Sequence, residues 1–366
     1  MALLKLVAAN DVIGAQLAVI EALAGRQALF ITAPETAGLM PEVHGLPDQT
    51  PDDVAFIIES SGSTGTPKRI QHTAAAALDS SQIAAKRLDG HGQWLLALPI
   101  NYVAGLNVLV RSAVADTAPV VMNTAVSFTA EAFVRSASLM RDDRRYTALV
   151  PTQLARLAAA LDHDEDVLRA LRSFDAILVG GQSVAPTLLA KLQDLHVNLV
   201  ETYGSAETFG GVVYNGEPLD GVSVSIEPDD RIAIASPTLS IADQPKYVSN
   251  DVGEIVDGKL RVLGRKDRVI ISGGIKISLD RVESLAADVA GVVEIAATAL
   301  DDDEWGQRVG IAYLGSPEVA DEVAMQLANL LGPAAKPLRV IRVDRVPKLS
   351  SQKHDLVAIR QLFERN

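Results

Sequence analysis

The feature that most constrains the fold is a regular alternation, from residue 27 to about residue 200, of short apolar runs and Ala/Leu-rich amphipathic stretches. Such alternation predicts an α/β fold with a largely parallel sheet, in which ligands bind beyond the carboxyl ends of the strands. The predicted strands are 28–32, 54–58, 94–98, 120–122, 147–150, 176–180 and 197–201. The predicted helices are 73–88, 129–140, 151–161 and 186–195, of which the second opens at Thr129 and the last at Pro186.

The pattern changes twice further along the chain. After Gly210, strand-like pieces separated by Gly, Pro and Asp turns predict a small antiparallel or barrel-like β subdomain. From about Arg265, the order strand, helix, strand, strand, helix, strand, helix predicts a compact α+β unit. We therefore expect a large N-terminal domain of α/β-layered sheets plus the barrel-like subdomain at 1–265, and a small, mobile α+β C-terminal domain at 266–366.

Composition disfavours several classes of function. The formal net charge of −13 argues against a nucleic-acid partner, because binding to a phosphate backbone needs a basic surface. With no cysteine there is no disulfide, thiol nucleophile or thiolate zinc site, and the six histidines are too scattered for a metal motif. The N-terminus lacks a clean signal-peptide core, and the apolar stretch 103–122 is interrupted by charges. We expect a cytoplasmic protein without membrane insertion. A homo-oligomer is compatible with the sequence.

The segment SSGSTGTPK at residues 60–68 has the chemistry of an anion-binding loop. Gly62 and Gly65 let the backbone curl so that several N–H groups face one point, and Lys68 adds a point charge suited to phosphate. Further hydroxyl donors come from Ser61, Ser63, Thr64 and Thr66. The segment lacks the Gly-Lys-Ser/Thr ending of a Walker A loop. Taken alone, it is equally compatible with a solvated turn.

Six further segments follow this loop in order. They are LPINYVAG (98–105), ILVGGQS (177–183), ETYGSAET (201–208), YVSNDVGEI (247–255), GRKDRVIISGGIKIS (264–278) and PKLSSQK (347–353). Together with SSGSTGTPK, they resemble the adenylate-forming superfamily of acyl- and aryl-CoA ligases, luciferases and peptide-synthetase adenylation domains. The resemblance runs from about residue 54 to the C-terminus. The combination in this order is highly specific, although no single segment is.

The resemblance implies an ATP site. The 60–68 loop would hold the β- and γ-phosphates, with Ser63, Thr64 and Lys68 as its main contacts. Glu207 matches the acidic residue that helps to hold Mg²⁺, whereas a lone loop glutamate is otherwise solvated. Tyr203 matches the ring that stacks on adenine, and Asp251 matches the carboxylate that accepts both ribose hydroxyls. The full adenine and ribose set is Gly180, Gly181, Gln182, Tyr203, Asp251 and Arg265.

The resemblance also implies two poses of the C-terminal domain, with Asp267 at the hinge. In one pose Lys353 would reach the substrate carboxylate and the α-phosphate and stabilise the charged transition state of adenylation. In the other pose the turn of Ser272, Gly273 and Gly274 would help to line the tunnel for the pantetheine arm of CoA. Judged locally, Lys353 lies in a polar loop and resembles a solvated lysine.

Three positions depart from the family pattern. Gln352 stands where Gly usually precedes the catalytic lysine, Ala206 where Thr or Ser usually precedes the acidic residue, and Tyr102 where an aromatic-pocket His is frequent. None of these changes removes a charge that the chemistry needs. A slower or misplaced lysine is the consequence to expect from Gln352.

Length and one local segment narrow the resemblance. The phosphate loop begins at residue 60, earlier than is usual in the family, so we expect most of an N-terminal subdomain to be missing. Together with YTALVPTQLARL at 146–157, this resembles the compact bacterial o-succinylbenzoate:CoA ligases of menaquinone synthesis. The implied acid has a second carboxylate, for which no cation is identified. The pocket candidates, each equally readable as a packing residue, are Asn101, Tyr102, Thr152, Gln153 and Ser205.

The sequence thus predicts an ATP-dependent acid:CoA ligase that uses Mg²⁺ and works in two half-reactions. The first gives an acyl-adenylate and pyrophosphate, and the second gives the CoA thioester and AMP. Two alternatives stay open. One is a CoA ligase for another small aryl or acyl acid. The other is a non-catalytic nucleotide-binding protein, suggested by Gln352 and the short N-terminus.

Overall fold

The computed structural model describes residues 1–36, 39–60, 68–124, 126–349 and 354–364, and the strands of this part form four sheets. The first sheet contains β1 (Ala2–Ala8), β2 (Ala28–Thr32), β3 (Gln49–Thr50), β4 (Phe56–Ser60) and β5 (Lys68–His72), with helices α1 (Val12–Leu23) and α2 (Ala74–Arg87). Its strand order is β3-β1-β2-β4-β5. The central pairs, β1 with β2 and β2 with β4, are parallel, and the two edge strands are antiparallel.

The second sheet has seven strands and is parallel at its centre. Its strands are β6 (Gln93–Leu96), β7 (Val120–Val121), β8 (Arg145–Leu149), β9 (Ala176–Gly180), β10 (Leu199–Ser205), β11 (Gly210–Tyr214) and β12 (Glu217–Pro218). The connecting helices are α3 (Val103–Val114), α4 (Ala130–Ala137), α5 (Pro151–Ala160), α6 (Glu165–Arg172) and α7 (Pro186–Asp194). The order is β12-β11-β10-β9-β8-β6-β7. Strand β11 pairs antiparallel with both of its neighbours, β10 and β12, and the other pairs are parallel.

Both faces of the second sheet are buried, as a parallel sheet requires. One apolar core joins the first two sheets through α1, α2 and α3, and it includes Phe56, Leu106 and Tyr146. A second core on the opposite face packs α4 to α7 against the same strands around Phe133 and Leu154. The carboxyl ends of β8, β9 and β10 are therefore left as the edge that ligands can reach.

The remaining strands are mostly antiparallel. A four-stranded sheet in sequential order contains β13 (Ser223–Ile226), β14 (Arg231–Ala235), β15 (Tyr247–Val256) and β16 (Lys259–Arg265). The last sheet contains β17 (Val269–Ser272), β18 (Ile275–Ser278), β19 (Val292–Asp302), β20 (Gly306–Gly315) and β21 (Arg339–Arg342). It packs with α8 (Leu279–Ala286), α9 (Val319–Leu331) and α10 (Leu356–Glu364) around its own cores. The 3₁₀ turn Lys266–Arg268 separates the two sheets.

The predicted α/β class and the change to antiparallel strands after Gly210 are confirmed. Thr129 caps α4 by accepting a hydrogen bond from the backbone N–H of Ala132, and Pro186 is the first residue of α7. The apolar stretch 103–122 contains α3, which the sequence analysis did not predict as a helix. No helix in the described part of the chain combines the length and apolarity needed to cross a membrane. The domain boundary at 265 stays a prediction.

Candidate active site

A cleft of about 2750 Å³ opens at the carboxyl edge of the second sheet. Its walls come from the ends of β8, β9 and β10, from β15 and β16, and from the side of the C-terminal sheet that carries Glu294 and Lys348. Ligands of open α/β sheets bind at this edge, because the loops that follow parallel strands converge there. The cleft is therefore the candidate active site.

The end of β9 provides an exposed backbone surface in this cleft. A Cβ atom at Gly180 would lie 2.4 Å from Oγ1 of Thr202, so only glycine lets β9 and β10 approach this closely. Gly181 has a φ of +84°, a conformation that other residues rarely adopt. Gln182 follows and also lines the cleft. The three residues assigned to adenine by resemblance thus lie together, beside Tyr203 on the next strand.

Tyr203 and Asp251 are joined directly across the cleft wall. The Tyr203 hydroxyl donates to Oδ2 of Asp251 at 2.9 Å, and it lies 3.3 Å from Oγ of Ser249. Burial, together with the adjacent Asp251 carboxylate, raises the pKa of Tyr203, so the phenol stays a hydrogen-bond donor. Burial also raises the pKa of Asp251, against the opposing effects of the Tyr203 hydrogen bond and the Arg265 charge. The tyrosine therefore helps to keep a buried carboxylate ionised.

Arg265 continues the chain of contacts to the predicted hinge. Its guanidinium makes two hydrogen bonds to Asp267, at 2.8 and 2.7 Å, and its Nη1 lies 3.8 Å from Oδ1 of Asp251. Its backbone N–H donates to Asp280 of α8 at 2.7 Å. The hydrogen bonds from Arg265 lower the pKa of Asp267. One arginine thus connects the carboxylate assigned to ribose with the residue assigned to the hinge.

Lys68 and Glu207, which the resemblance assigns to phosphate and metal, both line the cleft. Lys68 pairs with Ser60 in the β4–β5 ladder, so these residues begin and end the segment that connects the two strands. No group of three metal-binding side chains occurs in the described ranges, and within them no cation pairs with Glu207. A single free carboxylate suits Mg²⁺, which takes oxygen ligands and keeps most of its remaining positions for substrate phosphates and water.

Six of the predicted site residues fall outside the described part of the chain. They are Ser61, Gly62, Ser63, Thr64, Gly65 and Lys353. Their assigned roles stay predictions.

Three of the five acid-pocket candidates line the cleft, and two do not. Tyr102, Thr152 and Ser205 line the cleft. Gln153 faces the interior, where its amide accepts from Val150 N–H at 3.1 Å and donates to Ala97 O at 2.9 Å. Asn101 lines no part of the cleft described here. We therefore keep the first three candidates and leave Gln153 and Asn101 out, because Gln153 already uses its polar atoms to support the fold.

Arg156 is a cleft residue that the sequence analysis did not identify. It lies one helical turn after Thr152, and Ala155 and Ala159 complete the cleft-facing side of α5. Its guanidinium is exposed and donates to the backbone carbonyl of Phe128 at 3.2 Å. The helical period of VPTQLARL, applied from Thr152, would have found it.

The predicted CoA turn does not line the cleft in this structure. Ser272 pairs with Ile275, and Gly273 and Gly274 form the tight turn between β17 and β18 with φ values of +56° and +82°. A Cβ at Gly273 would lie 2.7 Å from the ring of Trp305. Glycine is therefore required at this turn for a local reason, whether or not CoA passes beside it.

His72 is a second residue that the sequence analysis missed. It is fully buried at the end of β5, where its Nε2 lies 2.7 Å from the carbonyl oxygen of Ala206. Its ring meets Phe209 edge to face, with centroids 5.0 Å apart. Burial lowers the pKa of His72 to about 4, so the imidazole is neutral near pH 7. Its contact with the carbonyl of Ala206 supports the segment that carries Glu207.

Comparison with known proteins identifies the family of the chain. The family described as AMP-binding enzyme matches residues 7–262, and the AMP-binding enzyme C-terminal domain matches residues 281–353. The first match begins well before residue 54, where the motif resemblance was placed. A protein of Mycobacterium tuberculosis H37Rv named "Probable 2-succinylbenzoate--CoA ligase" is 34% identical in an alignment of 334 positions that covers 86% of each chain. The 2-succinylbenzoate--CoA ligase of Bacillus licheniformis is 30% identical, over 82% of this chain and 69% of its own length.

Solved structures share the fold. The o-succinylbenzoate CoA synthetase (MenE) of Bacillus subtilis, in complex with the acyl-adenylate intermediate OSB-AMP, superposes with a TM-score of 0.74 at 22% identity, covering 94% of this chain and 81% of that one. The amide bond synthetase McbA of Marinactinospora thermotolerans has the same TM-score at 20% identity, covering 98% and 80%. Since these two proteins differ in their named products, the fold alone does not distinguish CoA ligation from amide formation.

Proposed function

Because the chain belongs to the family of AMP-binding enzymes, we propose that it is an ATP-dependent acid:CoA ligase that acts on o-succinylbenzoate. The single observation that carries the chemistry is the chain of contacts from Tyr203 through Asp251 and Arg265 to Asp267. It joins the cleft at the carboxyl edge of the second sheet to the 3₁₀ turn that precedes the C-terminal sheet. The choice of acid rests on the relatives named 2-succinylbenzoate--CoA ligase, one of which is 34% identical over most of both chains.

We assign the nucleotide to the end of β9 and to β15. Adenine lies against Gly180, Gly181 and Gln182 with the Tyr203 ring on its other side, and the ribose hydroxyls donate to Asp251. The position of Tyr203 supports this assignment, because its hydroxyl fixes the ring edge and leaves the second oxygen of Asp251 for a ligand. Arg265, which lies near that oxygen, adds positive charge at the same place.

We assign the phosphates to the segment between β4 and β5. Lys68 lies at the end of this segment. The hydroxyl and N–H groups of the segment's residues are suited to phosphate oxygens. Glu207 would hold Mg²⁺, whose positive charge offsets that of the phosphates. His72 contacts the carbonyl oxygen of Ala206, the residue before Glu207, and so helps to hold the backbone beside the proposed Mg²⁺ ligand.

The proposed reaction has two balanced steps. A carboxylate oxygen of the acid attacks the α-phosphorus of ATP, and the bond to pyrophosphate breaks. The thiolate of CoA then attacks the acyl carbon, and AMP leaves with the electron pair of the acyl–oxygen bond. Lys353 stabilises the negative charge of the first transition state, and rotation about Asp267 brings the 272–274 turn to the site for the second step.

The acid would lie between Tyr102, Thr152 and Ser205, with its reacting carboxylate toward the nucleotide. Arg156 supplies the cation that the sequence analysis could not place. It faces the same cleft one turn beyond Thr152. Its hydrogen bond to the carbonyl of Phe128 uses Nη1, so other N–H groups of the guanidinium remain for a carboxylate. A second carboxylate on the acid is the substrate feature that this arginine would recognise.

A panel of acids in one coupled assay tests the proposal. Each acid is incubated with ATP, Mg²⁺ and CoA, and AMP release and thioester formation are measured together. We expect o-succinylbenzoate to give both products at the highest kcat/KM. A thioester from another aryl or acyl acid, with none from o-succinylbenzoate, would refute the substrate and keep the reaction class. The cytoplasmic location and any self-association remain predictions.

A further inference from the structure

An ion-pair cluster lies on the C-terminal sheet at the two ends of the segment that carries Lys353. Nζ of Lys348 lies 2.7 Å from Oε1 of Glu294, and Nε2 of His354 lies 3.2 Å from the same oxygen. Lys348 and His354 lie on either side of residues 349–353. All three side chains are largely buried, with exposed fractions of 9% for Lys348, 19% for Glu294 and 13% for His354. One carboxylate therefore holds both ends of the segment.

Backbone hydrogen bonding joins the same two flanking residues. Lys348 and His354 form an isolated antiparallel bridge, and the N–H of Asp355 donates to the carbonyl of Pro347 at 3.0 Å. These bonds join the residues on either side of the segment to each other. Glu294, on β19, supplies a side-chain contact between these residues and the C-terminal sheet.

The burial and the pKa of Glu294 distinguish this cluster from an exposed ion pair. Burial works to raise the pKa of Glu294, but the hydrogen bonds and charges of His354 and Lys348 outweigh it and hold the pKa below its usual value. Exposed ion pairs contribute little because water screens them, whereas removing one partner from a buried pair leaves an uncompensated charge. The contacts of Glu294 with Lys348 and His354 are therefore costly to break.

The cluster also connects to the predicted hinge. Nδ1 of His354 lies 4.0 Å from Oε1 of Glu283, and that oxygen accepts from Arg268 at 2.6 Å and from the N–H of Ala297 at 2.7 Å. Arg268 is the last residue of the 3₁₀ turn that contains Asp267. His354 and the last residue of the predicted hinge turn are thus held by side chains and backbone of the same strand, β19, and the same helix, α8.

We propose that Glu294 is a positioning residue for adenylation, which fixes the ends of the 349–353 segment and thereby the place from which Lys353 acts. The inference rests on the proposed function. Glu294 does not touch the reacting atoms in this account; it acts through Lys348 and His354. Errors of about 1 Å in the placement of a catalytic group can cost about 100-fold in rate, so loosening both ends of the segment should be visible in the step that uses Lys353.

The test compares the two half-reactions in Glu294→Gln. Adenylation is followed as acid-dependent exchange of pyrophosphate into ATP, and the second step as thioester formation from supplied acyl-adenylate and CoA. We expect adenylation to fall about 10- to 100-fold in kcat with little change in the KM for ATP, and thioester formation to stay within about 2-fold of wild type. Since the second step needs a folded protein, it also reports misfolding.

Two further variants keep the result decisive. Lys348→Met should reproduce the selective loss and Lys348→Arg should retain activity, because arginine keeps the charge that Glu294 binds. Asp301→Asn is the matched control, since Asp301 lies on the same strand in an exposed pair with Arg360 at 3.0 Å, and it should leave both steps unchanged. Equal losses in both steps, or no loss in Glu294→Gln and Lys348→Met, would overturn the proposal. Absence of both steps in the wild type would instead overturn the proposed function.

Discussion

The hydroxyl of Tyr203 donates to Oδ2 of Asp251 at 2.9 Å, so the aromatic ring assigned to adenine and the carboxylate assigned to ribose form one unit. Asp251 is mostly enclosed, and burial alone would favour its protonated form. The tyrosine therefore has two separable parts. Its ring offers a stacking surface, and its hydroxyl stabilises the charge that binds ribose.

Tyr203→Phe separates these parts, because it keeps the ring and removes the donor. We expect KM for ATP to rise about 10-fold, the scale of one hydrogen bond to a charged group. The pKa of Asp251 should rise further, since the lost hydrogen bond favours the ionised form. The acid limb of kcat/KM for ATP should therefore move to higher pH. An unchanged pH profile would show that Tyr203 does not support Asp251 in the working enzyme.

Two substitutions separate the predicted hinge role of Asp267 from the ion pair that it makes with Arg265. Asp267→Pro fixes φ and removes the ion pair, whereas Asp267→Asn removes the charge and leaves the backbone free. We expect Pro to slow thioester formation at least about 10-fold more than adenylation, because the second pose needs the rotation. Asn should change both steps by similar, small factors. If the two variants behave alike, backbone rotation at Asp267 is not what limits the second step.

Arg156 should distinguish acids by their second carboxylate. Arg156→Ala is expected to raise KM for o-succinylbenzoate about 10-fold or more, and to change KM little for a matched monocarboxylate. Arg135→Ala is the control, because Arg135 pairs with Glu131 on the exposed side of α4. Steady-state kinetics with both acids measure the difference. Equal effects on the two acids would mean that Arg156 supports the helix and does not recognise the substrate.

His72 makes the fold sensitive to acid. Its pKa is about 4 in the folded state and 6.5 for the free side chain, so between these values the unfolded chain takes up a proton that the folded chain does not. Stability should therefore fall as the pH drops from about 6.5 to 4, by about 3 kcal/mol in all. His72→Gln should remove this part of the pH dependence in denaturant titrations, while the exposed His163→Gln should keep it. Parallel curves for all three proteins would contradict this account.

The sequence predicted well those elements whose local pattern and burial agree. The strand 176–180 is found within those limits, because AILVG is a short apolar run buried on both faces of the sheet. Helix α3 was missed because eight of its residues, including Asn107, Arg111 and Ser112, are buried between two sheets, so its apolar and polar positions do not alternate with helical period. Tertiary packing, which one sequence does not display, decided that segment.

The candidate site shows the same division. Motif order identified Tyr203, Asp251 and Arg265, which the fold brings into one chain of contacts although Arg265 lies 62 positions after Tyr203 in the numbering. Gln153 faces the interior although Thr152 lines the cleft, because neighbouring helix positions point about 100° apart and the motif does not say which of them meets the cleft. The partners of His72 and Glu294 lie far from them in the sequence, so no local signal could indicate them.

The central claim is that one chain runs two half-reactions and uses Lys353 only in the first. Lys353→Ala tests it directly, with acid-dependent pyrophosphate exchange and thioester formation from supplied acyl-adenylate measured on the same preparation. We predict that adenylation falls about 10² to 10³-fold, the scale of losing one charge-stabilising donor, while thioester formation survives. An equal fall in both steps would contradict the account.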